Sequence, residues 1–342
     1  MRKQFFAIVL ITAFAFTSKA ASPIHYEVKQ KFTLGGDGGW DYLTFDPAGK
    51  RLFISRGTRV MVVDPYKGSV IAEIPNTPGI HGIALAQDLN KGFTSNGREN
   101  SVTVFDLKTL KETDRIKIEG ENPDAILYDA SSKRVFTFNG RSKNATVIDA
   151  TNNKVVATIP LDGKPEFAAT DEKGHVYVNL EDKSMVAEID SQKLTVMNRW
   201  PLAPCEEPSG MAIDRKHRRL FSNCSNKLMA VMDADSGKVI ATVTIGAGVD
   251  GGGFDPETGF AFSSNGGDGT LTLVHEDAPD KFSVVDNVPT QRGARTMTLD
   301  PKKHKIFLVT AEFGQAPQPT KEQPRPRRPV VPGSFTFLIV SK

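Results

Sequence analysis

The 342-residue sequence predicts an all-β fold, a seven-bladed β-propeller of four-stranded antiparallel blades, from three observations. A unit of about 42 residues recurs seven times along the chain. Each unit holds four short runs of alternating apolar and polar residues split by Gly, Pro, Asn or Asp, and no stretch after residue 20 keeps apolar residues at helical spacing. The two ends of the chain carry complementary pieces of one further sheet.

The first half of the unit reads YLTFDPAGKRLFIS from Tyr42, AILYDASSKRVFTF from Ala125, MAIDRKHRRLFSNC from Met211, GGFDPETGFAFSSN from Gly252 and MTLDPKKHKIFLVT from Met297. Degenerate copies begin at Gly82 and Glu166. The second half closes an alternating run with an aspartate and a turn, and these aspartates, Asp64, Asp106, Asp149, Asp190 and Asp233, are 42, 43, 41 and 43 residues apart. Each precedes turn-forming residues, so a role as a cap on the following backbone amides is expected rather than acid/base chemistry. Sheets of this kind bury their faces only against one another, and radial packing leaves no long edge exposed. The first ordered run, VKQKFTLGG from Val28, resembles the fourth strand of a unit, and the last, GSFTFLIVSK, resembles a third strand. The N-terminal strand is therefore expected to complete the last blade and lock the ring.

Residues 1–20 combine a basic start (Arg2, Lys3), an apolar stretch from Phe5 to Phe16 and a small-x-small site ending at Ala20, the pattern of a cleaved secretory signal peptide. The propeller is then residues 21–342. A periplasmic or secreted protein, a monomer without a membrane span, is expected. Without residues 1–20 the chain has 40 basic and 40 acidic residues, so bulk charge favours neither nucleic acid nor membrane. Cys205 and Cys224 are the only cysteines, at one end of the same predicted hairpin, and a structural disulfide is expected in an exported chain.

Several catalytic signatures are missing. There is no Cys-x-x-Cys-His for covalent haem, no Gly-x-Ser-x-Gly nucleophile elbow and no His-x-x-x-His pair. The glycines at 246, 248 and 251 match a dinucleotide fingerprint, but a strand follows where that motif needs a helix, so a turn between blades is expected.

The informative constellation comes from register. The first strand of every blade lines the central channel, and the residue five before the Asp of TFDP or its equivalent marks the channel mouth. Those residues are Asp41, His81, Asp124, Pro165, Ser209, Asp250 and Arg295, with Glu166 one step from the fourth. Asp41, Asp124, Glu166 and Asp250 form a candidate set for a divalent metal, the one cofactor the pattern suggests, and His81 is the candidate catalytic or ligand histidine. A solvated acidic mouth offset by Arg295, with His81 filling a tight turn, accounts for the same residues. Loops after the second strands carry Arg56, Arg59, Arg98, Arg141, Lys143, Lys183 and Lys227, a basic collar suited to carboxylate or phosphate. The candidate ligand-binding residues are Arg56, Arg98, Arg141, Arg295 and Trp40. A proline-rich insertion, 315–332, interrupts blade seven at this mouth and could be a lid, a docking arm through Arg325, Arg327 and Arg328, or a tolerated loop-tip insertion.

The repeat pattern, with PSGMAID from Pro208, RLF from Arg219 and AVMDADSGKVIATVTIG from Ala230, resembles the YVTN-repeat, YncE-like propellers over essentially the whole chain after residue 20. The resemblance implies an exported seven-bladed propeller, with some relatives binding DNA and others serving in surface layers. The more distantly similar streptogramin lyases use a mouth histidine and a divalent metal; of that pattern only His81 and its neighbouring carboxylates find a match.

Three functions remain in order. The first is a binding propeller whose mouth takes a small anionic ligand or a protein partner. The second is a metal-dependent lyase or hydrolase, with Asp41, Asp124 and Asp250 on the ion, His81 as general acid/base and Arg56 or Arg98 orienting a substrate carboxylate. The third, single-stranded DNA binding, calls for aromatics interleaved with the collar, where the mouth offers little beyond Trp40 and Phe313.

Overall fold

A computed structural model describes residues 25–342 apart from 321, 322, 324, 325 and 327. The signal-peptide expectation for residues 1–20 lies outside the described residues, as do Arg325 and Arg327. The described chain forms seven four-stranded antiparallel sheets. Blade one consists of Leu43–Asp46, Arg51–Ser55, Val60–Asp64 and Ser69–Ile74. Blades two to six span 80–117, 123–160, 165–201, 208–244 and 249–289. Blade seven takes Met297–Asp300, Lys305–Thr310 and Thr336–Ser341 from the end of the chain and its outer strand, Glu27–Thr33, from the start. Val28 pairs with Val340 and Thr33 with Thr336, so backbone hydrogen bonds close the ring as expected.

Burial follows strand position. The two middle strands of a blade are covered on both faces by the neighbouring blades, so their side chains are apolar without alternation: Leu52, Phe53 and Ile54 have no exposed surface, nor do Val60, Val62 and Val63. Outer strands have one wet face, and in Ser69–Ile74 both Val70 and Ile71 are exposed. The core is accordingly a set of seams between blades. Phe53 meets Phe105 between blades one and two, Phe221 stacks on Phe254 between five and six, and Phe45 meets Phe307 between one and seven, at 5.7, 5.1 and 5.4 Å.

The repeated aspartates cap turns. Asp64 accepts from the Tyr66 amide, Asp106 from Thr109, Asp149 from Thr151, Asp190 from Lys193 and Asp233 from Ser236, all at 2.7 to 2.9 Å. Residues 246–251 are a turn running into Val249–Asp255, a strand and not a helix. The inner strands of blades five and six approach so closely that a Cβ on Gly210 would come within 2.6 Å of the Gly251 carbonyl carbon, which explains a glycine there.

At the mouth end, a buried asparagine closes the second strand of three blades. Asn96 donates to Thr103, Asn139 to Thr146 and Asn265 to Thr272, at 2.8 to 3.0 Å, and each accepts from a hydroxyl two residues earlier. These bonds satisfy buried amides and make the rim stiff. The proline-rich insertion is tied at its ends: Phe313 bridges Val330, the Gly314 amide donates to the Pro329 carbonyl, and Val331 donates to Glu312. Cys205 and Cys224 are joined in a disulfide, with Cα atoms 5.7 Å apart, beside the Pro208 end of blade five. A bond of this kind belongs to an oxidising, non-cytoplasmic compartment. Among the described residues no helix is long and apolar enough to cross a membrane.

Candidate functional site

The mouth residues are set by the second strand of the blade before. Its penultimate polar side chain reaches across the seam to the next inner strand: Ser95 donates to the Asp124 carbonyl, Asn179 to the Ser209 carbonyl and Ser264 to the Arg295 carbonyl. Within blade one, the Asp41 amide donates to Ser55 Oγ at 2.9 Å, and Thr296 Oγ1 donates to the Asp41 carbonyl at 2.6 Å. Backbone, not flexible loop, thus presents the charged side chains.

Five of the residues sharing the mouth register meet in one chain of charges. Arg295 Nε donates to Asp250 Oδ2 at 2.6 Å and its Nη2 to Asp41 Oδ1 at 3.2 Å. Asp41 Oδ2 lies 2.7 Å from His81 Nδ1, and Asp124 Oδ1 lies 3.5 Å from the same nitrogen. Ser209 Oγ adds a 2.8 Å bond to Asp250 Oδ1. Glu166 belongs to a second group, 2.7 Å from Lys164 Nζ, which also pairs with Glu181. Below them the channel has a floor: Tyr42 of blade one and Phe167 of blade four, which face each other across the ring, pack at 4.3 Å between centroids.

Electrostatics follows from this depth. Burial pushes the Asp124 carboxyl up to about 6; His81 opposes the shift, while Asp41 and Asp250 add to it. Glu166 rises to about 8 through burial and the charge of Asp124, against the pull of Lys164. Asp250 is raised by burial although Arg295 works against it. For His81 burial disfavours the imidazolium, but the hydrogen bond to Asp41 and the charges of Asp124, Asp41 and Glu166 outweigh it, so its pKa is raised.

The proposed metal set therefore separates. Asp250 is matched by Arg295 and Glu166 by Lys164, each a charge partner that an ion would have to replace. Asp41, His81 and Asp124 remain as a compact group whose donor atoms all lie within 4.8 Å of one another, a size that accepts one divalent ion.

The collar is corrected at Arg56. Its side chain is buried, its guanidinium donates to the carbonyls of Gly38 at 2.6 Å and Gly36 at 2.9 Å, and it lies 3.7 Å over the Phe335 ring. Burial, with Arg59 close by, lowers its pKa to about 10. A four-glycine loop, residues 35, 36, 38 and 39, leaves carbonyls that only a long donor can satisfy, so Arg56 is structural and presents nothing to a ligand. Arg98 and Arg141 are exposed as expected, whereas Lys143 is tied to Asp182 and Arg59 to Glu73.

Beside the cup is a cleft of about 760 Å³ lined by Trp40, Phe313, Arg292, Arg295, Arg328 and Val330. Trp40 is buried against Phe313 and Phe335, at 6.1 and 5.5 Å, and its indole N–H has no partner. The register argument overlooked Arg292, which lies on the loop before the last inner strand, and Lys164. Neither occupies the five-before-Asp position. The signal that would have found Arg292 is the one spatial fact a repeat alignment omits, that the insertion folds back over this loop.

The fold and mouth define a seven-bladed β-propeller with a floored, charged cup and an aromatic, arginine-lined cleft at its rim. Neither a protein-family model nor a curated protein matches the chain. Among solved structures it is similar to Kuenenia stuttgartiensis hydrazine synthase, with 16% identity over 86% of this chain and 96% of that one and a TM-score of 0.71. It is similar also to the RRP9 WD40 repeats, with 8% identity over 94% and 99% and a TM-score of 0.76, and to a chain of the mitotic checkpoint complex, with 13% identity over 90% and 95% and a TM-score of 0.73. Likeness at these identities establishes the fold alone.

Proposed function

We propose that this protein is an exported binding propeller, of the YVTN-repeat kind, whose mouth cleft captures a small anionic molecule carrying an apolar or aromatic portion. The observation that carries the reading is the cleft itself: two aromatic residues, Trp40 and Phe313, and three arginines, Arg292, Arg295 and Arg328, line one concave space. Small-molecule sites are mostly apolar with a few placed polar groups, and a guanidinium fork matches a carboxylate or phosphate. The unpartnered Trp40 indole N–H supports the reading, since a buried donor without an acceptor favours an incoming one. The disulfide and the sequence of residues 1–20 support a periplasmic or secreted location. The test is calorimetric titration with benzoate and phosphate against benzamide as the neutral analogue. Anion binding that weakens about tenfold or more in Arg292→Ala or Trp40→Ala supports the reading; equal binding of benzamide, or no binding of either anion, removes it.

One observation favours a second reading, a metal-dependent lyase or hydrolase: the convergence of Asp41, His81 and Asp124. An ion there would polarise a substrate carbonyl or acidify a bound water, and exposed Arg98 would be the collar residue to orient a carboxylate. His81 would then serve as ligand, not as free acid/base. Titration of chelator-stripped protein with Mn²⁺, repeated on Asp124→Asn, tests it; binding unchanged by the substitution excludes the mouth.

A further inference from the structure

At the end of the ring opposite the mouth, each inner strand except that of blade two closes on a polar residue in the register of Asp46, and the contacts there follow a rule. Asp46 accepts from Arg51 and Gln87, Asp129 from Thr170 and Ser191, Asp255 faces His304, and Asp300 accepts from Tyr66. In each case a donor faces the carboxylate. Asp214 likewise accepts, from the Lys216 and His217 amides at 2.9 and 3.2 Å, but it also has a second carboxylate, Glu276, placed against it.

The residue that follows the third-strand turn position is equivalent from blade to blade, because its amide donates to the same loop carbonyl: Leu107 to Asn90, Ala150 to Lys133, Ser191 to Gly174, Ala234 to Arg218 and Glu276 to Gly259, at 2.8 to 3.0 Å. Side chains at this position sit beside the last residue of the preceding blade's inner strand, an aspartate before blades two, four and six. In blade four it is Ser191, a donor to Asp129; in blades two, three and five it is Leu or Ala and buried. In blade six it is Glu276, an acceptor placed against Asp214.

Two carboxylates and one imidazole meet there. His217 Nδ1 lies 2.7 Å from Asp214 Oδ2 and 3.0 Å from Glu276 Oε1, and the donor atoms of all three residues lie within 4.8 Å of one another. The side chains of Asp214 and Glu276 are 3% and 4% exposed. Glu276 Oε1 and His217 Nδ1 are buried and lack a well-aligned hydrogen bond, their near partners being each other and, for the imidazole, Asp214 Oδ2. Two carboxylates buried side by side are costly unless a cation joins them.

We propose that Asp214, His217 and Glu276 form a binding site for a transition-metal dication of the zinc class, which cross-links blades five and six. One imidazole with two carboxylates suits zinc, manganese or cobalt better than the all-oxygen preference of calcium. Bonds of about 2.0–2.1 Å put tetrahedral ligands roughly 3.3 Å apart, so the present separations need open by less than an ångström. Asp214 is fixed at the end of Pro208–Asp214 and Glu276 within Thr270–Ala278, while His217 rides on a turn and can supply that movement. A fourth position is left to water, since the His217 side chain is about one-third exposed.

The experiment uses chelator-stripped full chain and Co²⁺ and Zn²⁺ as probes. Co²⁺ is expected to give d–d absorption bands of a low-coordinate site, and Zn²⁺ to raise Tm. His217→Ala and the near-isosteric Glu276→Gln should each abolish one bound equivalent and its bands, whereas His81→Ala at the mouth should not. Loss of binding in His81→Ala but not in Glu276→Gln overturns the proposal and leaves the mouth reading standing. No Co²⁺ or Zn²⁺ binding at all, with Glu276→Gln stabilising the protein by relieving a carboxylate pair that shares a proton, overturns it as well.

Discussion

His81 Nδ1 and Asp41 Oδ2 are 2.7 Å apart although the residues belong to different blades, and Asp41 is held in turn by Arg295 from the last blade. One carboxylate therefore ties three inner strands together where the ring closes. The His81 pKa is raised in the folded state, so its charged form contributes stability below the unfolded value of about 6.5 that is lost as pH rises through the folded pKa. In chelator-stripped protein, an NMR titration of the imidazole should show the upward shift, and Asp41→Asn should reduce it. An imidazole titrating below its ordinary value would contradict the pairing.

Asp124 has the opposite sign of effect. Its folded pKa, about 6, lies above that of an unfolded aspartate, so the folded protein holds this proton more tightly and loses stability as pH rises from about 4 through 6. Asp124→Asn should be close to neutral at pH 4 and stabilising by about 1–3 kcal/mol at pH 7.5, in metal-free protein. Urea unfolding at the two pH values measures the difference, and a substitution that destabilises more at pH 7.5 than at pH 4 refutes the assignment.

Arg56 predicts a stability phenotype without a binding one. Replacing it by Met leaves the carbonyls of Gly36 and Gly38 without their donor and should cost about 3–5 kcal/mol. Thermal unfolding detects the loss. Survivors of the folded state should bind an anionic probe as the parent does, because no part of Arg56 faces the cleft.

Reduction of the Cys205–Cys224 bond removes the constraint on a segment with a sequence separation of 19 and should lower stability by about 3 kcal/mol. The Cys205→Ser, Cys224→Ser double variant measures this directly, by urea midpoint with and without reductant. Indifference of the parent to reductant would mean that the segment is held by its packing alone.

Blade number, closure by the N-terminal strand, the turn aspartates and the half-cystines were all legible from periodicity. Each depends on local pattern: alternation selects strands, Asp and Gly select turns, and identical units have one way to bury identical faces. Register also named the residues that converge at the mouth, since a fixed offset within a repeat becomes a fixed height along an axis.

What pairs with what was decided only by the tertiary structure. Arg56 and Arg98 occupy equivalent loops, yet the carbonyls of a four-glycine loop from a different part of the chain bury the first, while the second stays in water. Glu276 follows a turn position as Ser191 does, and its meaning depends wholly on Asp214 lying in the preceding sheet. Asp250 and Glu166 looked like free acids until Arg295 and Lys164 folded onto them. A repeated sequence dictates the frame because its forces are local and the same in every unit; charge partners are chosen by side chains that differ between units and meet only across the seams.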